Sequence, residues 1–170
     1  MSTRTSRREF QEELARRLQA AAQGTSIHSA LGIASGQAFW LFDLAHAGAI
    51  VALPPLLSVP LTRHWFAGIA NVRGVLYGVV DFSAFLGGEQ TSRSGEARLL
   101  LIGPSQGSAL LVDRALGLRS LAAMTEQSAQ GRPARNWVGS DFRDERGQIW
   151  HTVNSRLLLA DPDFLSIGLQ

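Results

Sequence analysis

The sequence predicts a mainly β protein, arranged as one barrel or as a pair of small barrels. Three observations carry this. Short apolar runs, roughly seven to nine of them, recur through the middle of the chain. Turn signals built from Gly, Pro, Asn and Asp separate them. Helical periodicity is confined to the two ends. Short strands set between frequent turns are the mark of barrels and sandwiches.

Composition narrows the class. A chain of 170 residues is one domain by size, able to bury about 70% of its unfolded surface without staples. The net charge is +2, and all 16 basic residues are arginine. The sequence pI of about 10.3 therefore reflects a side chain that does not deprotonate, not a strongly basic surface. The arginines are interleaved with acids, so nucleic acid is not an expected partner. With no cysteine, disulfides and thiolate metal sites are excluded. The Arg-rich start lacks an apolar core and is not a secretory signal. Leu44 to Thr62 carries no formal charge and is about long enough to span a bilayer. Gly48, Pro54, Pro55 and Pro60 would break such a helix, so no membrane insertion is expected.

Residues 3–23 read as a helix. Phe10, Leu14, Leu18 and Ala21 form one apolar stripe, with Glu12–Arg16 and Glu13–Arg17 placed for i, i+4 pairing. Gly24 ends it. The chain thus divides into an N-terminal amphipathic helix over 1–24, a polar connector over 25–36 and a β domain over 37–165. Ala38–Leu44 and Gly48–Leu53 are the first strands, with Ala45–Gly48 as a hairpin turn between them. Pro54–Thr62 is an irregular connection.

The stretch from Trp65 to Phe82 has the clearest pattern. A bulky apolar segment ends at Gly68, a polar turn Asn71-Val72-Arg73-Gly74 follows, and an apolar run from Val75 to Val80 ends at Asp81. Asn and Gly tolerate positive φ, which makes a tight turn. Arg73 is the one charge on it, between two apolar arms. Phe82–Leu86 is a turn of helix closed by Gly87-Gly88, and 89–96 is a loop. Arg98–Ile102 and Ser108–Val112 are strands joined by Gly103–Gly107. Leu116–Leu121 is another, with Arg119 on its exposed side. Residues 125–135 form a loop. Asn136–Phe142 and Gln148–Val153 are strands around the tight turn Asp144-Glu145-Arg146-Gly147. Leu157–Leu165 is a short C-terminal helix broken by Pro162.

One catalytic pattern is present. Gly103-Pro104-Ser105-Gln106-Gly107 fits G-x-S-x-G, and Asp141 or Asp144 followed by His151 completes the order Ser, Asp, His. A small serine hydrolase is therefore the alternative function. The motif needs a helix after the serine, and Ser108–Val112 has strand character instead. His28, His46, His64 and His151 are far apart and make no local metal pattern. Asp141, Asp144 and Glu145 read as a solvated cluster on a hairpin tip. No phosphate-binding loop is present.

The central stretch resembles the signature of CheW-like domains, the coupling modules of bacterial chemotaxis systems. Gly68-Ile69-Ala70-Asn71-Val72-Arg73-Gly74 and Val79-Val80-Asp81 fill that signature. Ala109-Leu110-Leu111-Val112-Asp113 is similar to the family's second marker. The resemblance covers roughly 36–160. Leu76-Tyr77-Gly78, Phe85-Leu86-Gly87, Leu116-Gly117-Leu118-Arg119 and Phe142-Arg143-Asp144 with Trp150 are similar to the CheW-like adaptors of type IV pilus systems, the PilI type.

The resemblance implies a fold of two small five-stranded SH3-like barrels packed around a shared core. It implies a scaffold with no catalysis and no cofactor, cytoplasmic and placed at membrane-associated receptor arrays. The implied partners are a methyl-accepting receptor tip and the regulatory domain of a CheA-type sensor histidine kinase, and the implied output is twitching motility. Asn71, Val72, Arg73 and Gly74 become the expected partner-binding residues, and Gly68, Asp81 and Asp113 the structural ones. Two departures stand out. The family places an acid near the segment here reading Leu57-Ser58-Val59, able to pair with the motif arginine. This chain has no acid between Asp43 and Asp81, and the connection to Trp65 is shortened. Arg73 is thus either offered to a partner or tied internally to carbonyls or to Asp81.

Overall fold

The computed structural model describes residues 29–103, 107–128 and 135–169. The helix expected over 1–24 lies outside them. Two six-stranded sheets hold the described chain. Across the first run β10 (Thr125–Gln127), β11 (Val138–Arg143), β12 (Ile149–Val153), β2 (Ala38–Asp43), β1 (Ser29–Ser35) and β9 (Arg114–Ser120). Across the second run β3 (Ala47–Ala52), β7 (Arg98–Ile102), β8 (Ser108–Val112), β6 (Val75–Asp81), β5 (Phe66–Val72) and β4 (Leu56–Leu57). Three helices of four or five residues, α1 (Phe82–Phe85), α2 (Ser155–Leu159) and α3 (Pro162–Leu165), complete the fold.

Each sheet is five strands of five to seven residues plus one short edge strand, β10 or β4. The two edges of each sheet are neighbours in the chain. β3 leads to β4 through Leu53-Pro54-Pro55, and β9 leads to β10 through a short 3-10 turn, Leu121–Ala123. So few residues can join opposite edges only if the sheet curls back on itself. The result is the expected pair of small five-stranded barrels, each with one short extra strand.

The hydrophobic pattern follows. β7 and β8 read as unbroken apolar runs because both of their faces are buried. Leu99, Leu101, Ala109 and Leu111 face the interior of the second sheet with Tyr77 and Val79. Leu100, Ile102, Leu110 and Val112 face the shared core with Ile33, Trp40, Phe42, Phe82 and Trp137. Leu41, Ala30 and Trp150 fill the first sheet. Pro162 begins α3 at its first turn, where its missing N–H costs nothing, and the Asp161 carboxylate caps that turn.

Four expectations are corrected. The connector over 25–36 contains β1, an inner strand of the first sheet. Its small residues hid it: a Cβ on Gly32 would stand 3.0 Å from the Trp150 ring and 3.1 Å from Arg119 Cγ, so bulk is excluded there. Ala45–Gly48 is not a hairpin turn, since β2 pairs with β1 and β12 while β3 pairs with β7 in the other sheet. Arg119 is half-buried, not exposed. Its guanidinium lies 5.1 Å from the Trp150 ring centroid, and Leu118 is the residue turned outward. Thr125–Gln127, expected as loop, is β10.

Candidate functional site

β5 and β6 pair antiparallel in the register Val72↔Val75, Asn71↔Leu76, Ala70↔Tyr77 and Ile69↔Gly78. This leaves Arg73-Gly74 as a two-residue loop. Both residues have positive φ, 53° and 85°, the requirement of a type I′ turn, whose twist matches that of the strands it joins. Asn71 Oδ1 accepts the Gly74 N–H at 2.8 Å and closes the turn. Arginine has no special tolerance of this conformation, which costs about 1 kcal/mol for a residue with a Cβ.

Arg73 is exposed at the tip and forms no hydrogen bond or ion pair with any described residue. Directly paired residues on adjacent strands share a face, and so do residues two apart on one strand. Leu57↔Ile69, then Asn71↔Leu76, therefore set Leu57, Ile69, Asn71 and Leu76 on one face. Leu57 is 69% and Leu76 63% exposed, and Val75 beside the turn is 49% exposed. The same face lower down carries Phe66 and Val80 into the shared core. The tip is thus the free end of an apolar face, with one cation held on it.

The remaining motif residues lie elsewhere. Gly68 has φ of 128°, and a Cβ there would meet the Leu57 carbonyl oxygen inside van der Waals contact. Asp81 ends β6 at the opposite end of the hairpin from Arg73, about 20 Å along the strand. It is buried. Its carboxylate accepts the Thr91 N–H at 2.7 Å, the Thr91 hydroxyl at 2.9 Å and the Ala84 N–H at 3.2 Å, which caps α1. Asp113 stands where the chain leaves the second sheet for the first. It accepts the Gly36 N–H at 2.7 Å and donates its own N–H to the Ala34 carbonyl. The tie between Arg73 and Asp81 is therefore absent, and the four turn residues and the three structural ones do not form one site.

The serine motif has the wrong scaffold. Gly103 and Gly107 bracket the loop of an antiparallel hairpin, with Ile102 paired to Ser108, so a strand stands where a nucleophile elbow needs a helix. Ser105 itself lies outside the described residues. Asp141 and His151 do meet, His151 Nδ1 lying 2.8 Å from Asp141 Oδ1, with the imidazole packed in a T-shaped contact with the Trp40 ring. Their partly buried pair joins β11 to β12.

The solvated acid cluster expected at residues 141–145 is corrected as well. Asp141 is buried. Asp144 accepts the Trp150 indole N–H at 3.0 Å and the backbone N–H groups of Arg146 and Gln148 at 2.9 Å each. The indole bond and those N–H groups hold its carboxyl below the usual range, against a smaller opposing effect of burial. No group of three or more metal-ligating side chains is found among the described residues.

Sequence reasoning missed Leu57 and Leu76 as part of the tip surface. Leu76 reads as one more residue of a buried strand, and only the register shows it past the end of the core.

A model of the CheW-like domain matches residues 30–163 of this chain. Protein PilI of Pseudomonas aeruginosa is 29% identical over 107 residues, which is 62% of this chain and 60% of that protein's length. The crystal structure of the scaffolding protein TtCheW from Thermoanaerobacter tengcongensis superposes with a TM-score of 0.67 at 14% identity, covering 83% of this chain and 99% of that one.

Proposed function

The chain belongs to the CheW-like domain family, and from that premise we propose that it is a non-catalytic adaptor joining methyl-accepting receptors to a CheA-type sensor histidine kinase. The stretch shared with protein PilI favours a pathway that drives type IV pilus twitching motility. No described helix is long and apolar enough to cross a membrane. The proposed place is the cytoplasmic side of a membrane-associated array, where the receptor and the kinase would hold it.

One observation carries the site assignment. Arg73 is held in a left-handed conformation at an exposed turn, with no described partner, next to the exposed Val75 and Leu76, while Leu57 lies farther along the face of Leu76. A cation without an internal role beside exposed apolar area has the composition of an interface centre, where arginine and apolar contact dominate binding. Asn71 and Gly74 shape the turn, and Val72 anchors it from the half-buried side.

The test is a pull-down of the full chain against the kinase's regulatory domain and against a receptor tip. Capture of both supports coupling. Capture of neither defeats it.

A further inference from the structure

We propose that a row of three unpaired arginines at the far end of the β5–β6 hairpin, flanking His64, docks an acidic segment of a partner protein. Two adjoining clefts define the row. The first, about 280 Å³, is lined by Arg63, His64 and Arg93. The second is lined again by Arg63 and His64, and by Arg135. Arg63 and His64 thus stand between Arg93 on one side and Arg135 on the other.

None of these four side chains forms an ion pair with a described residue. Asp81 is the acid on the first cleft, but its carboxylate already takes two N–H groups and the Thr91 hydroxyl. Asp163, on the second, is not paired with them either.

Two of the arginines are held in place. Arg63 Nε donates to the Ser166 carbonyl at 2.8 Å, which leaves both terminal nitrogens free for a carboxylate. The Arg135 guanidinium lies 5.1 Å from the Phe85 ring centroid and 5.6 Å from that of Trp137. A cation fixed before binding loses little side-chain freedom when it pairs.

A single small anion would engage one cleft. Cations spread along two clefts match carboxylates spaced along an extended chain. The row lies at the Trp65 end of β5, about 20 Å from Arg73 at the other end of that strand. The surfaces do not overlap, and this inference stands on charge and geometry independently of the coupling reading.

The experiment uses the full chain and a fluorescein-labelled oligoglutamate peptide, read by anisotropy at low and at physiological salt. Arg63→Gln with Arg93→Gln should weaken binding roughly fivefold to tenfold. Arg93→Gln alone, at an exposed side chain with no described partner, should give part of that loss with an unchanged melting temperature. Arg146→Gln with Arg156→Gln, two exposed arginines elsewhere, should change nothing. Absence of peptide binding overturns the proposal. So does an equal loss in the distant pair, which would mark diffuse attraction. So does displacement of the peptide by inorganic phosphate but not by chloride at equal ionic strength, which would mark a phosphate site.

Discussion

Replacing Asp81 by alanine removes a buried acceptor on which three donors depend. Those donors are the Thr91 N–H, the Thr91 hydroxyl and the Ala84 N–H. Hydrogen bonds to a charged group contribute about 1.5–3 kcal/mol each, and losing a helix cap costs about 0.5–2 kcal/mol. The Thr91 hydroxyl can turn to another partner, but the two backbone donors cannot. Removing a buried charge also relieves some desolvation. The net cost is about 4 kcal/mol, or roughly 8–16 °C in melting temperature for a chain of this size. Asp81→Asn keeps one accepting oxygen but sets an amide against a donor, and should cost about half as much. Urea unfolding followed by tryptophan fluorescence measures this, since Trp40 and Trp137 lie in the shared core and report its loss. An Asp81→Ala protein within about 1 kcal/mol of the wild type would refute the assignment of Asp81 as the knot between β6, α1 and the loop at Thr91.

Gly68→Ala should cost about 3 kcal/mol or more, because φ of 128° is strained for any side chain and the new Cβ would press on the Leu57 carbonyl. Its unfolding midpoint checks this, and amide exchange should rise at Leu56 and Leu57 as β4 detaches. Asp144 gives a pH prediction. Its carboxyl is held low in the folded state, chiefly by the Trp150 indole, so it adds stability above the ordinary aspartate value near 4. That stability is lost as pH falls through the lower folded value. In Asp144→Asn this part of the acid-side decline in melting temperature should vanish, while the wild type keeps it.

The β-rich fold was legible wherever local chemistry decides. The turn at Arg73-Gly74 and the short helix after Asp81 follow from residue type and spacing, whereas Pro162, expected to break a helix, begins one. Pairing between distant strands was not legible. A side chain is excluded at Gly32 because Trp150 and Arg119 crowd it, and the Ser and Ala residues elsewhere in β1 carry little strand signal. The placement of Arg119 depends on a register shift at Gly32/Ile33 opposite Gly117, whose φ is 78°. Such a shift changes which side chains face inward, and strict alternation cannot foresee it. At the tip, the turn could be read from sequence, but the exposure of Leu57 and Leu76 could not. Whether Arg73 had an internal partner was equally hidden, because every candidate partner is remote in the chain.

We propose that Arg73 faces outward to a partner and does not hold the fold. Arg73→Asn tests it most directly, because asparagine accepts the left-handed conformation at least as well as arginine does. Melting temperature and affinity for the receptor tip and the kinase regulatory domain are measured on the same preparation. Stability should be unchanged or raised by up to about 1 kcal/mol, with binding to at least one of the two weakened by roughly tenfold or more. A variant that melts well below the wild type, or one that binds both partners undiminished, would contradict it.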